Sequence, residues 1–310
     1  MRVIVVGMGV QGEKRKRVAG RDCVATVDLL PGHADYLNVE DVPLATFDAA
    51  LLCVPDKPKI DLIRYLLKSG KHVLVEKPLW SVADSDLAEI EALANSANLV
   101  CYTAYNHRFE PHFIRMKNLI SSGVLGKIYR CRMFYGNGTA RLVRDSNWRD
   151  NGSGVLHDLG SHVLDTTKFW FGDITDEFLV YSSNCFENRA PDFVTFGSEK
   201  GPIKVEYELS LLSWRNSFQC DIFAENGSAH IDSLCKWGPT TFTHRTRILP
   251  SGRPKENVVT IEQIDPTWLS EYQYFTQLCL KRGKTSLSSD TWLNRLLRTL
   301  GESAIRMAAK

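Results

Sequence analysis

At 310 residues the chain is long enough for two domains, each with its own hydrophobic core. Apolar residues make up 44% and charged residues 24%, with a formal net charge of +2. That balance excludes collagen-like, coiled-coil and disordered chains and leaves no basic excess for a nucleic-acid surface. No apolar run approaches the roughly 18 residues of a membrane span, so neither nucleic acid nor a membrane is an expected partner.

The opening residues 1–6 lead directly into a glycine turn without a small-residue cleavage site, and predict a first strand rather than a secretory leader. Continuous β-rich apolar runs follow at 23–27, 49–54, 72–75 and 99–102. Between them, 60–67 and 84–95 have helical periodicity. Strands without polar alternation, separated by helices, predict a parallel sheet covered on both faces, a doubly wound α/β domain over residues 1–105. After a helix around 111–121, residues 127–134 read as a strand, and several strands follow from about 177 to 263 with no clear helix between them. Residues 204–211 alternate apolar and polar, 218–222 repeat the pattern, and Glu225-Asn226-Gly227-Ser228 is a hairpin signal. Residues 106–310 are therefore expected to form a second α/β domain around an open, predominantly antiparallel sheet. Two helices close the chain, one with Asp265 as N-cap and Pro266 at its first position, the other over about 290–307.

The eight cysteines, Cys23, Cys53, Cys101, Cys131, Cys185, Cys220, Cys235 and Cys279, are scattered singly with no C-x-x-C pair. The spacing predicts no metal site and no disulfide framework, but buried free thiols in a reducing cytoplasm.

Gly7-Met8-Gly9-Val10-Gln11-Gly12 is a G-x-G-x-x-G directly after a strand and opening a helix. There the first glycine allows the tight turn, the second lets a pyrophosphate approach the backbone, and the third lets helix and strand pack closely. Asp28, at the end of the second strand, is placed to accept hydrogen bonds from an adenosine ribose and to oppose a 2′-phosphate, which favours NAD over NADP. The basic run Lys14-Arg15-Lys16-Arg17 is read as the solvated face of the first helix rather than a 2′-phosphate site. Together these features predict a Rossmann domain.

Glu76-Lys77-Pro78 follows the fourth strand, where a strand's carboxyl end faces the cofactor crevice. Asp158 and His162 are four residues apart and would share one helical face, a carboxylate orienting an imidazole that serves as general base for alcohol oxidation. The glycine fingerprint, Glu76-Lys77-Pro78, Tyr105-Asn106-His107-Arg108-Phe109 and Asp158-x-Gly160-x-His162, in this order, resemble the Gfo/Idh/MocA oxidoreductases along essentially the whole chain. The resemblance implies that Lys77 lies between substrate and nicotinamide, that Asp158 and His162 flank the reacting carbinol, and that His162 is the acid/base. NAD is expected against Gly7, Gly9, Val10, Gln11, Gly12, Asp28, Pro55, Glu76 and Lys77, and substrate against Lys77, Asn106, Arg108, Trp148, Arg149, Asp158 and His162. It also implies a homodimer or homotetramer through the flat face of the C-terminal sheet. Two departures stand out: Asp56-Lys57-Pro58-Lys59 where many relatives carry asparagine and a nearby histidine, and Ser153 as the middle residue of a glycine triplet.

The rival readings are structural. His162 could be a satisfied core histidine, His157 is as well suited to structure as to substrate, and Arg108 and Arg149 could make ion pairs instead of gripping a carboxylate or phosphate. The expected activity is reversible hydride transfer between NAD and a secondary hydroxyl of a sugar. Within the family, the compact length and Trp148-Arg149 before the glycine turn most resemble the nucleotide-sugar dehydrogenases of surface polysaccharide and lipid A pathways, which implies the 3-hydroxyl of a UDP-N-acetylhexosamine as the substrate group. The alternatives are a free-sugar or inositol dehydrogenase, an NAD(H)-binding regulator without turnover, and a nucleotide-binding structural subunit.

Overall fold

The computed structural model describes residues 1–146 and 149–309. The chain opens with β1 (Val3–Val6), α1 (Val10–Ala19), β2 (Cys23–Val27), β3 (Ala49–Leu52), α2 (Asp56–Lys68), β4 (His72–Glu76), α3 (Asp84–Ser96) and β5 (Cys101–Ala104). The five strands form a parallel sheet in the order β2-β1-β3-β4-β5. The order reverses at β1, so a crevice opens at the carboxyl ends of β1 and β3, where ligands bind in such sheets. Alternation along β1 sends Ile4 and Val6 to one core with Ile63, Leu66, Leu87 and Ile90 of α2 and α3. Val3 and Val5 join a second core on the opposite face. Burial on both faces explains why these strands are apolar throughout.

Next come α4 (Pro111–Ser121), β6 (Ile128–Gly136), α5 (Ala140–Arg144), a π-helical turn (Leu156–Gly160) running into α6 (Ser161–Phe171), and β7 (Leu179–Asn184) to β8 (Phe193–Ser198) and β9 (Lys204–Ser210). The strands β10 (Ser217–Ala224), β11 (Gly227–Asp232), β12 (Thr240–Thr246) and β13 (Lys255–Ile261) complete an eight-stranded sheet ordered β13-β12-β11-β10-β6-β9-β8-β7. Every pair in it is antiparallel except β6 with β9. Its inner face buries Cys131, Met133, Tyr135, Tyr207, Leu209, Phe218 and Ile222. The other face carries charge across the strands, as in Arg130–Glu206, Arg132–Asp221 and Arg245–Glu256, with His230 Nδ1 2.7 Å from Asp221 Oδ1. The β10–β11 hairpin turns at Glu225-Asn226, within the Glu225-Asn226-Gly227-Ser228 stretch expected to turn, with Gly227 already paired to Ala224. Helices α7 (Thr267–Leu280) and α8 (Ser288–Ala308) end the chain.

By packing, the chain forms two units, Met1–Asn106 with Thr267–Asn294, and His107–Pro266 with Arg295–Lys310. A continuous second domain over 106–310 therefore does not describe the packing, because residues 267–294 return to the first unit. The reason is α7, whose Tyr272, Phe275 and Cys279 supply one side of the core on Val3, Val5, Ala49 and Leu51. The capping expectation also shifts, since α7 begins at Thr267, one residue beyond Pro266. Of the cysteines, Cys101, Cys131, Cys220, Cys235 and Cys279 are buried, Cys23 and Cys53 half-buried and Cys185 exposed; all eight are free thiols. Among the described residues no helix is long and apolar enough to cross a membrane.

Candidate active site

In the first unit the glycine turn lies at the end of β1, tied to both neighbours by Gly7 N–H to the Val27 carbonyl (2.8 Å) and Cys53 N–H to the Val6 carbonyl (2.7 Å). Gly7 has φ +88°, and a Cβ there would lie 2.5 Å from the Cys53 carbonyl oxygen. A Cβ on Gly12 would lie 1.9 Å from the Gly7 carbonyl oxygen. These two glycines are demanded by the protein's own packing. Gly9 is not, since a Cβ there meets nothing within 4 Å. It N-caps α1 without a side-chain cap, and Val10 beside it is 75% exposed. An uncapped helix N-terminus under bare backbone fits a dinucleotide pyrophosphate. The Asp28 carboxylate accepts the Met8 N–H at 2.7 Å and the Leu30 N–H at 2.9 Å, so the acidic side chain is fixed over the glycine turn with lone pairs left for ribose hydroxyls.

Glu76 faces Arg15. The Arg15 guanidinium is buried, donating from Nε to Glu76 Oε1 and from Nη2 to Glu271 Oε2, each at 2.7 Å, and lies 4.4 Å from the Trp268 ring centre. Burial works against its charge, but Glu76 and Glu271 outweigh that and raise its pKa. Here the reading of residues 14–17 as a solvated face is corrected: Lys14, Lys16 and Arg17 are exposed, but Arg15 shares the buried face of α1 with Gly12 and Ala19. Those positions are spaced by three and four, a signal present in the sequence and masked by the run of like charge. Lys77 is half-buried, and the Lys77–Pro78 peptide bond is cis. The Pro78 carbonyl accepts from the buried Lys59 Nζ at 2.9 Å, which also pairs with Asp56 at 2.8 Å. The departure at 56–59 thus braces the Lys77 segment. Pro55 is exposed at the N-cap of α2. Asn106 is 8% exposed and donates to Thr267 Oγ1 at 2.9 Å.

In the second unit, Asp158 lies on the π-helical turn and His162 in the first turn of α6. Such turns recur at functional sites because they re-aim side chains within a helix. Arg149 donates to Asp158 Oδ2 at 3.1 Å. His162 is 8% exposed and stacks on His107, ring centres 3.9 Å apart and planes 17° from parallel. Tyr135 lies beside both rings, with centres at 5.6 Å and 6.0 Å. Arg108 is committed elsewhere, donating through Nε to the buried Asp165 at 3.0 Å. Burial raises the Asp165 pKa and Arg108 opposes it. Trp148 lies outside the described residues.

Tyr135, Lys236 and Trp237 belong to this constellation and were not singled out from the sequence, and His107 entered there only as part of the 105–109 motif, without a role. Lys236 Nζ lies 3.4 Å from His107 Nε2, 3.2 Å from Tyr135 Oη and 4.6 Å from the Trp237 ring centre. Contacts between residues 129 apart leave no local pattern. Glu110, Cys235 and Asp265 place ligand atoms within 4.8 Å of one another. Burial together with the Glu110 carboxylate pushes the Cys235 thiol far up, so on its own it is held as the protonated thiol beside Glu110 and Asp265.

Residues 21–105 match the family model described as an oxidoreductase family with an NAD-binding Rossmann fold, and residues 113–230 match that of the GFO/IDH/MocA C-terminal domain. The chain belongs to the Gfo/Idh/MocA oxidoreductase family. Its first unit is the family's NAD-binding Rossmann domain. Among relatives, it is similar to scyllo-inositol 2-dehydrogenase (NADP(+)) IolW of Bacillus subtilis, 31% identical over 34% of this chain and 30% of that protein. It is also similar to levoglucosan dehydrogenase of Pseudarthrobacter phenanthrenivorans, 30% identical over 48% of this chain and 39% of that protein. The matched stretch spans about a third of the length of the first curated relatives. An oxidoreductase from Agrobacterium radiobacter, solved with NAD+, L-tartaric acid and magnesium, superposes with a TM-score of 0.81 over 100% of this chain and 96% of that one at 16% identity, which shows the shared fold.

Proposed function

We propose that the protein is an NAD-dependent dehydrogenase acting on a secondary hydroxyl of a sugar-like polyol. The observation that carries this is the stacked His162–His107 pair beside Asp158 and Arg149, in a chain whose glycine turn is built for a dinucleotide. Bound NAD would accept the hydride, held by the turn from Gly7 to Gly12 and by Asp28, with Pro55, Glu76 and Lys77 as the further contacts proposed for it. His162 takes the hydroxyl proton as the alcohol is oxidised, the task of an imidazole near neutral pH. Asp158 and Arg149 orient the reacting carbinol, and Lys77 polarises its oxygen. Trp148 is retained as a substrate contact. Arg108 and Asn106 are reassigned to the framework, because Asp165 and Thr267 occupy them.

Two substrate classes divide the narrower reading: the 3-hydroxyl of a UDP-N-acetylhexosamine, and an unconjugated cyclic polyol. The names of the inositol and levoglucosan dehydrogenases among the relatives favour the polyol. Self-association through the charged flat face of the eight-stranded sheet accompanies the proposal and is read by light scattering. The test of function follows reduced nicotinamide absorbance at near-stoichiometric protein and NAD with UDP-hexosamines, inositols, levoglucosan and free sugars. A rise with one class assigns it, and His162→Ala then lowers turnover about 10²–10⁴-fold while NAD still binds. No rise with any of them, with NAD bound, gives way to the regulator reading, and an unchanged His162→Ala rate removes that residue's role.

A further inference from the structure

The 3₁₀ turn Cys235–Trp237 after β11 puts an ammonium against the histidine stack. Lys236 Nζ has His107 Nε2 and Tyr135 Oη on one side. The charges of Glu110, Asp265 and Asp158, with the Cys235 thiol, act on it as well. Burial lowers its pKa and these groups oppose that. Glu110 is itself 1% exposed, with its Oε2 accepting the Cys235 N–H at 3.2 Å and its Oε1 buried without a partner. An ammonium has three donors and no acceptor. Whatever it touches through a ring nitrogen must therefore offer a lone pair, and an imidazole offering Nε2 carries its proton on Nδ1 and no charge.

We propose that Lys236 is a positioning residue of this site: by donating to His107 Nε2 and Tyr135 Oη it holds His107 as a neutral, Nδ1-protonated plate against which His162 works as the base. The inference rests on the role proposed above for His162. Two imidazoles stacked at 3.9 Å cannot both carry charge cheaply. If His107 were free to take a proton, it would compete with His162 for the proton of the substrate hydroxyl. Lys236 removes that competition by occupying the nitrogen that would be protonated, and its positive charge disfavours imidazolium on either ring. Tyr135, the other polar group beside both rings, is fixed by the same ammonium. Lys236 thus acts through His107 and need not touch substrate.

The test reads ring nitrogens in the full-length protein by long-range proton–nitrogen correlation with ¹⁵N-labelled histidine, His107 and His162 being assigned with His107→Gln and His162→Gln. In the unsubstituted protein His107 is expected as the Nδ1–H tautomer. In Lys236→Met that preference is lost, and the first protonation of the stacked pair moves up by about one pH unit, because a nearby positive charge has gone. Lys236→Arg, which keeps charge and donors, leaves the midpoint near its original value. An Nε2–H tautomer of His107 in the unsubstituted protein, or an unmoved midpoint in Lys236→Met, overturns the proposal. The first of these is read in the unsubstituted protein and does not depend on Lys236→Met folding. Neither readout depends on turnover, so a failure here is separable from a failure of the dehydrogenase reading.

Discussion

Replacing Arg15 by methionine isolates a buried electrostatic commitment of the NAD-binding unit. The side chain is 1% exposed and bridges Glu271 at 0% and Glu76 at 12%, with two charge-assisted bonds of 2.7 Å. Methionine fills the space of the aliphatic stem but leaves Glu271 as a buried carboxylate that has lost its guanidinium. Removing one partner of a buried pair costs about 3–5 kcal/mol, because desolvation of the survivor is no longer offset. In a domain of this size that corresponds to a melting-temperature fall on the order of 10 °C. Equilibrium urea unfolding followed by circular dichroism measures it. The pH dependence has a definite sign. In the variant the folded-state pKa of Glu271 rises above its unfolded value of about 4.3, so the deficit is full at high pH and shrinks as pH falls through the raised folded value. A second substitution, Glu271→Gln in the Arg15→Met background, removes the stranded charge and recovers most of the loss, a non-additive outcome. A cost below about 1 kcal/mol for Arg15→Met, or a double variant no more stable than the single, would refute the reasoning.

Gly9→Ala is expected to melt as the unsubstituted protein does, since its Cβ meets nothing, yet to weaken NADH binding roughly tenfold or more by fluorescence titration, where Gly12→Ala loses stability as well. Equal NADH affinity in Gly9→Ala would take the pyrophosphate away from this turn. Asp28→Ala narrows the preference for NADH over NADPH, a charge-assisted hydrogen bond contributing about 1.5–3 kcal/mol; equal affinities before substitution would dismiss the role. His72 accepts the Val100 N–H on Nδ1 at 2.9 Å, and burial holds its pKa below the usual value. Its folded pKa is depressed, so the unfolded chain protonates first as pH falls below about 6.5 and stability drops across that window. The urea midpoint should fall between pH 7.5 and 5.5, and less so in His72→Gln.

Much of the scaffold was legible because local pattern and tertiary role coincide. The first four apolar runs became β1 to β4 within a residue or two of their expected ends, since a strand buried on both faces cannot hide its hydrophobicity. The glycine turn and Asp28 were legible for a different reason: steric demand at Gly7 and Gly12 is met by one residue type alone. Arg108 shows the limit. An arginine beside the site looked available for substrate, and only the fold brings Asp165, 57 residues away, to occupy it.

By itself the sequence determined the parallel sheet, the open antiparallel sheet, the dinucleotide turn and the identity of His162 and Asp158 as neighbours in one helical stretch. These follow from periodicity, from backbone sterics and from short-range spacing, all of which are written locally. Tertiary structure alone decided that residues 267–294 close the first unit, that Arg15 is buried between Glu76 and Glu271, and that Lys236 meets His107. The physical reason is shared by all three: whether a charge is solvated or buried, and which partner it finds, depends on chain segments that only folding brings within hydrogen-bonding distance.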